Sequence, residues 1–208
     1  MTKYPSLKEE KKLWRRGYKV VAGLDEAGRG PLAGPVVAAA VMIKNQRVKI
    51  EDLPGARDSK QLTQRQREKL YEAIVKHPDL RWGIGIVSEK VIDKINILEA
   101  AKLAMVKALK RMKVDCLILD GNMKLALPLA QKPIVKGDQK VFSCAAASIL
   151  AKVTRDRIMR RYHKKYSPYR FDLHKGYGTR LHLRMLRKHK PCPIHRRSFR
   201  PVQALEKV

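Results

Sequence analysis

Asp25 and Glu26 place two adjacent carboxylates at the end of the apolar run Val20-Val21-Ala22-Gly23-Leu24, directly before the turn Gly28-Arg29-Gly30-Pro31. A matching setting recurs where Cys116-Leu117-Ile118-Leu119 ends in Asp120-Gly121-Asn122, and another acid, Asp138, follows Lys136-Gly137 ahead of a long helical stretch. The carboxyl ends of strands in an open sheet are where sites tend to form. Single acids in such places have structural uses: an aspartate ahead of a helix is a favoured N-cap contributing about 0.5–2 kcal/mol, and Asp-Gly is a common turn. Four acids, each at the end of a core strand or the start of the helix after it, exceed those uses. Gathered together they repel one another unless cations fill the space. Magnesium and manganese are hard ions that accept carboxylate oxygens and bridge to phosphates. Adjacent residues on a regular strand face opposite ways, so Asp25 and Glu26 serve one centre only if the strand twists or ends there, a break the two glycines permit. No Ser–His–Asp or Cys–His arrangement competes, and soft ligands are scarce.

The elements that must position these acids follow from periodicity. Residues 1–17 read as a short basic helix or arm. Val20–Leu24 and Gly34–Ile43 read as an antiparallel strand pair. A polar helix is expected from about Thr63 to Lys76, a strand over Arg81–Val87, and Ser88 as an N-cap behind it. Apolar residues at three- and four-residue spacing from Ile97 to Leu109 mark an amphipathic helix. Strands follow at 115–119 and 133–135. One long helix is expected from Gln139 to about Tyr166, with a small-sided early part, Cys144 to Ser148, and a cationic later surface that includes Arg155, Arg157, Arg160 and Arg161. Ser167-Pro168-Tyr169 stops it, and Thr179 caps a last helix reaching about Lys188. This order predicts an α/β protein, a mixed sheet with helices on both faces. The expected organisation is a basic arm at 1–17, a catalytic domain at 18–162 and a basic helical appendage at 163–208.

With 47 Lys plus Arg against 19 Asp plus Glu, the chain carries a formal charge of +28, and residues 151–208 hold 18 of the basic residues and only three acids. Such an excess points to a polyanionic partner. An anionic membrane is disfavoured, because no Trp/Phe-faced amphipathic helix is present to lie in an interface. Three widely spaced cysteines argue for a reducing compartment rather than a disulfide framework. No apolar run approaches the ~18–20 residues of a bilayer span, and the charged first nineteen residues lack a signal-type core. A cytoplasmic, monomeric protein is expected. His182, His189, Cys192 and His195 could be read as a zinc set, but only Cys192 and His195 come near ligand spacing. Histidines pairing with phosphates or packing on a basic helix are the preferred reading.

From Gly23 to Val202 the sequence closely resembles the type 2 ribonuclease H family, ribonuclease HII. The resemblance rests on Gly23-Leu24-Asp25-Glu26-Ala27-Gly28-Arg29-Gly30, Asp58-Ser59-Lys60 with Leu62, Ile92-Asp93 with Asn96-Ile97-Leu98, and Ala104-Met105. It continues through Asp120-Gly121, Lys136-Gly137-Asp138, the run from Ala145 to Val153 with Arg155-Asp156, Gly176-Tyr177-Gly178-Thr179 and His195-Arg196-Arg197-Ser198-Phe199. Ala101 stands where the family often has threonine, Arg170 where it often has glycine, and His174 where it often has asparagine. The resemblance implies the ribonuclease H fold and an endoribonuclease that hydrolyses the RNA strand of RNA–DNA hybrids. It also implies nicking 5′ to ribonucleotides embedded in duplex DNA, leaving 3′-hydroxyl and 5′-phosphate ends, in ribonucleotide and primer removal. It assigns Asp25, Glu26, Asp120 and Asp138 as ligands of two divalent cations, Mg2+ or Mn2+, in a two-metal mechanism. The Gly28-Arg29-Gly30 backbone would read the ribose 2′-hydroxyl, Tyr177 would stack on the sugar at the junction, and Ser59 and Lys60 would hold backbone phosphates. Taken by residue type alone, Arg29 could be a turn residue in a salt bridge, Tyr177 a core tyrosine, and Asp58-Ser59-Lys60 an ordinary polar turn. A sliding-clamp contact stays open. A type 3 ribonuclease H would carry an extra N-terminal domain, for which seventeen residues leave no room. A non-catalytic nucleic-acid-binding protein explains the charge and leaves the acids unexplained.

Overall fold

Val36–Ile43 (β2) is apolar at every position and buried along its whole length, which requires a strand in the middle of a sheet with both faces covered. The computed structural model, which describes residues 4–44, Gln46, Val48, Leu53 and 62–206, provides that setting. Ser59 and Lys60 lie outside the described residues. The other strands are β1 (Val21–Ala27), β3 (Leu80–Val87), β4 (Cys116–Asp120) and β5 (Ala130–Ile134). They form one five-stranded sheet in the order β3-β2-β1-β4-β5. The β1/β2 and β2/β3 pairs are antiparallel and the β1/β4 and β4/β5 pairs are parallel, so the sheet is mixed, as the element order predicts.

Two long helices cover it. Helix α5 (Phe142–Lys165) lies against β1 and β2 with its small-sided first turns, and Ala39, Ala146 and Ala147 share one core with Ile43 and Phe142. The approach is close enough that a Cβ on Gly23 would fall 2.3 Å from Ser143 Oγ. On the other face α3 (Glu89–Leu109) packs Ala104, Met105 and Ala108 against Leu24, Ala38 and Ala40. The remaining helices are α1 (Lys8–Arg15), α2 (Gln64–Lys76), a short turn α4 (Gly137–Lys140), α6 (Phe171–His174), α7 (Arg180–His189) and α8 (Arg200–Glu206). Among the described residues no helix is long and apolar enough to cross a membrane.

Differences from the expected boundaries have local causes. The helix expected from Ile97 begins at Glu89 but is interrupted at Asn96, whose φ of 65° breaks the spiral while its side-chain oxygen accepts from Leu98 N and Glu99 N. Asn96 thus caps the amphipathic part, which does start at Ile97. Ser88 holds the N-cap position of α3 without a side-chain cap bond. The strand expected at 133–135 lies at Ala130–Ile134, and its Pro133 is tolerated because β5 is a sheet edge. The single helix expected from Gln139 is split at Val141, where the extended backbone bridges Ser6 and Ser6 O accepts from Phe142 N. Helix α1 is docked as well: buried Glu10 accepts from Ser143 N at 2.9 Å and Ser143 Oγ at 2.8 Å, an acid at the positive end of α5.

Residues beyond α5 build a second small core in which Tyr169, Phe171, Leu186, Ile194 and Val202 pack with Leu32 and Ala33 from the β1–β2 connection. Arg170, in place of the family's frequent glycine, sits in the left-handed region at φ 57°, the conformation that glycine adopts most readily. Thr179 caps α7, its hydroxyl accepting from His182 N. His174, His182 and His195 face inward, whereas His189 is exposed. His174 stacks on His182 with centroids 4.4 Å apart, and His182 Nε2 lies 3.0 Å from His195 Nε2. All three are buried. Burial, with the neighbouring imidazoles adding to it, pushes His182 and His195 down to about 4.

Both rings are therefore neutral in the folded protein at pH 7 and protonate more readily once unfolded. Because their folded pKa is depressed, the stability they confer is complete above about 6.5 and drains away as pH falls toward 4. NMR titration should place both imidazoles well below 5, and the urea midpoint should drop across that window; rings titrating near 6.5 would show that neither is desolvated.

Candidate active site

Register brings the first two acids together. β1 and β4 run parallel with Leu24 opposite Leu119, so Asp25 and Asp120 emerge side by side at adjacent carboxyl ends. The third arrives through the turn after β5. Lys136 adopts a left-handed conformation, and Gly137 N then donates to Asp120 Oδ1 at 2.6 Å, which sets Asp138 beside it. Ligand oxygens of Asp25, Asp120 and Asp138 all lie within 4.8 Å of one another. Asp25 and Asp138 are 6% and 3% exposed.

Such an arrangement is electrostatically uphill. Burial, then the charges of Glu26 and Asp120, hold the Asp25 carboxyl well above the usual carboxylate range, while Glu26 N, donating to Asp25 Oδ1 at 2.7 Å, and Ser148 pull the other way. Among the described residues no Lys or Arg forms an ion pair with Asp25 or Asp120. Like charges within a few ångströms, with no basic partner at Asp25 or Asp120, fit a hard divalent cation. The cluster is the one set of three or more potential ligands among the described residues, and none of the histidines of the C-terminal core belongs to it.

Glu26 lies outside this trio. No strand break falls between Asp25 and Glu26: the ladder continues with Asp25 opposite Ala39, Glu26 opposite Ala38 and Ala27 opposite Val37, and alternation turns the two side chains apart, though Glu26 stays near enough that its charge raises the Asp25 carboxyl. The break comes at Gly28, with φ 99°. Glu26 instead accepts from Arg29 Nη1 at 3.2 Å, so Arg29 is a half-exposed turn residue in a salt bridge. Gly30 differs from Gly28 in what surrounds it. A Cβ at Gly28 would collide with Arg155 Nε at 2.1 Å, whereas among the described residues, its chain neighbours aside, no atom lies within 4 Å of where one at Gly30 would stand. Among the described residues nothing demands glycine at position 30 or covers it.

Tyr177 is not a core tyrosine. It is 42% exposed, and its ring lies 5.7 Å from Lys152 Nζ and 5.8 Å from Arg155 Cζ. Its backbone is fixed, with the carbonyl accepting from Thr179 N and facing His182 Nδ1.

Two residues escape a reading of the sequence alone. Arg155, expected on the cationic surface of α5, is fully buried, and so is Arg196. Arg155 donates to the carbonyls of Pro35, Ala33 and Lys175 at 3.0 Å each. Arg196 donates to Gly34, Arg29 and Gly28 at 2.9, 3.0 and 2.6 Å. Their targets are backbone oxygens, which no side-chain pattern announces. Other members of the expected cationic face are partly neutralised: Arg157 and Arg160 pair with Glu68, and Arg157 lies 4.2 Å over the Tyr71 ring.

The family model for ribonuclease HII matches residues 22–202. A ribonuclease HII from Caldanaerobacter subterraneus subsp. tengcongensis is 51% identical over 91% of this chain and 78% of its own. Among solved structures, the ribonuclease H2 of Pyrococcus horikoshii is 32% identical with a TM-score of 0.76, over 90% of this chain and 97% of that one. The ribonuclease HII of Archaeoglobus fulgidus, solved as a PCNA complex, is 28% identical with a TM-score of 0.74, over 89% and 96%. With a mixed sheet, a buried carboxylate cluster and this match across the catalytic elements, the chain belongs to the ribonuclease HII family and is an endoribonuclease.

Proposed function

We propose that the enzyme hydrolyses the RNA strand of RNA–DNA hybrids and nicks duplex DNA 5′ to embedded ribonucleotides, leaving 3′-hydroxyl and 5′-phosphate ends. The observation that carries this reading is the convergence of Asp25, Asp120 and Asp138 on one buried point in a chain of charge +28. These three, with Glu26 beside them, would hold two divalent cations, Mg2+ or Mn2+. Cations bound there supply activation of the attacking water and neutralisation of the charge on the scissile phosphate. The protein's own part is positional. Asp25 and Asp138 are fixed by burial and Asp120 by the Gly137 N–H. The Gly28–Gly30 backbone, open above Gly30, would approach the ribose 2′-hydroxyl, the group that distinguishes RNA from DNA. Tyr177, exposed on a held backbone, would stack on the sugar at the junction, and Ser59 and Lys60 would hold backbone phosphates. Residues 163–208 would supply phosphate contacts through the exposed Arg184, Arg187 and Lys188 of α7. We read the protein as a cytoplasmic monomer acting in ribonucleotide and primer removal, and the PCNA complex of the Archaeoglobus relative makes a sliding clamp a partner to assay.

Asp120→Asn keeps the shape of the side chain and removes one negative ligand. Cleavage of a duplex containing one ribonucleotide should fall by a factor of about 100 or more, and the rise in melting temperature that Mg2+ or Mn2+ gives the parent, by binding the native state, should shrink. Near-normal cleavage with a full thermal shift would remove Asp120 from the site.

Tyr177→Ala should reduce cleavage at a lone ribonucleotide more than cleavage of an all-RNA strand on DNA, because a long hybrid offers many alternative registers for productive placement. Equal losses on both substrates would show that Tyr177 does not read the junction.

Hybrid affinity should fall steeply with salt. Replacing Arg184, Arg187 and Lys188 together by glutamine should reduce the log–log slope by up to about 0.9 for each phosphate that is no longer neutralised. Truncation at Arg180 is an unsuitable test, because it would also remove buried Arg196 and much of the C-terminal core. An unchanged slope in the triple variant would place the footprint elsewhere.

A further inference from the structure

The loop from Gly28 to Pro35 is stitched to the C-terminal segment at Gly28, Arg29, Leu32, Ala33 and Gly34. Ala33 bridges His195 in antiparallel fashion, Arg196 N donates to Leu32 O at 2.8 Å, and Gly34 N donates to Ile194 O at 2.8 Å. Inside this seam lie the two buried guanidiniums, which together engage six main-chain carbonyls. Among the described residues neither has a carboxylate within 4 Å. A buried cation without an acid partner is costly unless every donor is used, and the planar fork of arginine delivers several directed bonds where a lysine ammonium is a point. The placement of those bonds is informative. Arg196 holds the carbonyls of Gly28 and Arg29, the peptide units leading to the open position at Gly30. Arg155 holds Ala33 and Pro35 on the same loop and Lys175 two residues before Tyr177, whose ring its guanidinium also underlies.

We propose that Arg155 and Arg196 are positioning residues for ribonucleotide discrimination, fixing the glycine loop and the Tyr177 turn as one rigid reader of the sugar. This rests on the functional reading above. It assigns the C-terminal segment a role in specificity besides phosphate contact: Arg196, at the far end of the chain, sets the peptide geometry at Gly28 and Arg29. Loss of the fork loosens the reader without touching the aspartates, so the enzyme loses its preference for ribose more than its general grip on a duplex.

The test is equilibrium binding in an Asp120→Asn background, where cleavage does not interfere, comparing a duplex with one ribonucleotide against the same duplex in all-DNA form. Arg196→Lys and Arg155→Lys each keep the charge and lose the fork. A control of equal thermal destabilisation, Leu186→Ala in the same C-terminal core, loosens the layer without contacting the loop carbonyls. A loss of folded fraction lowers both affinities alike and leaves their ratio unmoved. We expect the ratio to fall about tenfold in the lysine variants and to hold in Leu186→Ala. A discriminating parent whose lysine variants keep the parental ratio overturns the inference alone, as does an equal fall in the control. A parent that neither discriminates nor, with Asp120 restored, cleaves at a ribonucleotide overturns the functional reading and the inference with it.

Discussion

Three aspartates held within 4.8 Å of one another and mostly out of water cannot assemble by their own attraction, and the rest of the structure is organised around holding them there. Each is placed by something that does not yield. Asp25 and Asp120 sit on parallel neighbouring strands whose register is set by buried residues on both faces, and a one-residue slip would turn every side chain the wrong way. Asp138 follows a left-handed residue and a glycine whose N–H is bonded to Asp120. Helix α5 then closes over β1 at a separation that admits only glycine at position 23. Packing offsets the repulsion, and divalent cations bound at such a cluster would relieve it.

The chain's overall charge is the complement of this centre. A strongly basic molecule with one acidic focus draws a polyanion to itself and meets it with a site that needs cations to tolerate a phosphate. Not all of the basic residues are available for that. Arg157 and Arg160 are tied to Glu68, Lys152 to Asp156, and Arg155 and Arg196 are interior. The exposed Arg184, Arg187 and Lys188 of α7 would then carry a larger share of the proposed footprint than the raw count along α5 suggests.

Much of this is legible in the sequence, and what is not has a common cause. Short continuous apolar runs and three- or four-residue spacing identify the sheet and the two main helices, because those patterns report which residues must be buried. The acids at strand ends are visible for the same reason, since a polar residue terminating a buried strand is conspicuous. Interactions that use the backbone as partner leave no such trace. Arg155 reads as one more cation on a helix, yet two of its partners are carbonyls of the β1–β2 connection, far earlier in the chain. The break at Val141 depends on pairing with Ser6, and the helix boundary at Asn96 on a side chain folding back onto nearby peptide groups. The regular course of β1 through Glu26 is likewise hidden: glycines at 28 and 30 permit a break at several places, and the ladder with β2 decides which is used.

A division into a catalytic domain and a C-terminal appendage follows chain order better than it follows space. Leu32 and Ala33, between the first two strands, belong to the same core as Tyr169, Leu186 and Val202, and backbone hydrogen bonds cross that seam as they would between paired strands. Gly30, uncovered among the described residues, and the half-exposed Tyr177 stand on supports that are packed and hydrogen-bonded. A group that must register a single hydroxyl gains from such support, because an ångström of looseness costs far more in orientation than any one contact returns. Mobile loops would bind a wider range of duplexes; a clamped one would suit the proposed recognition of a single sugar within DNA.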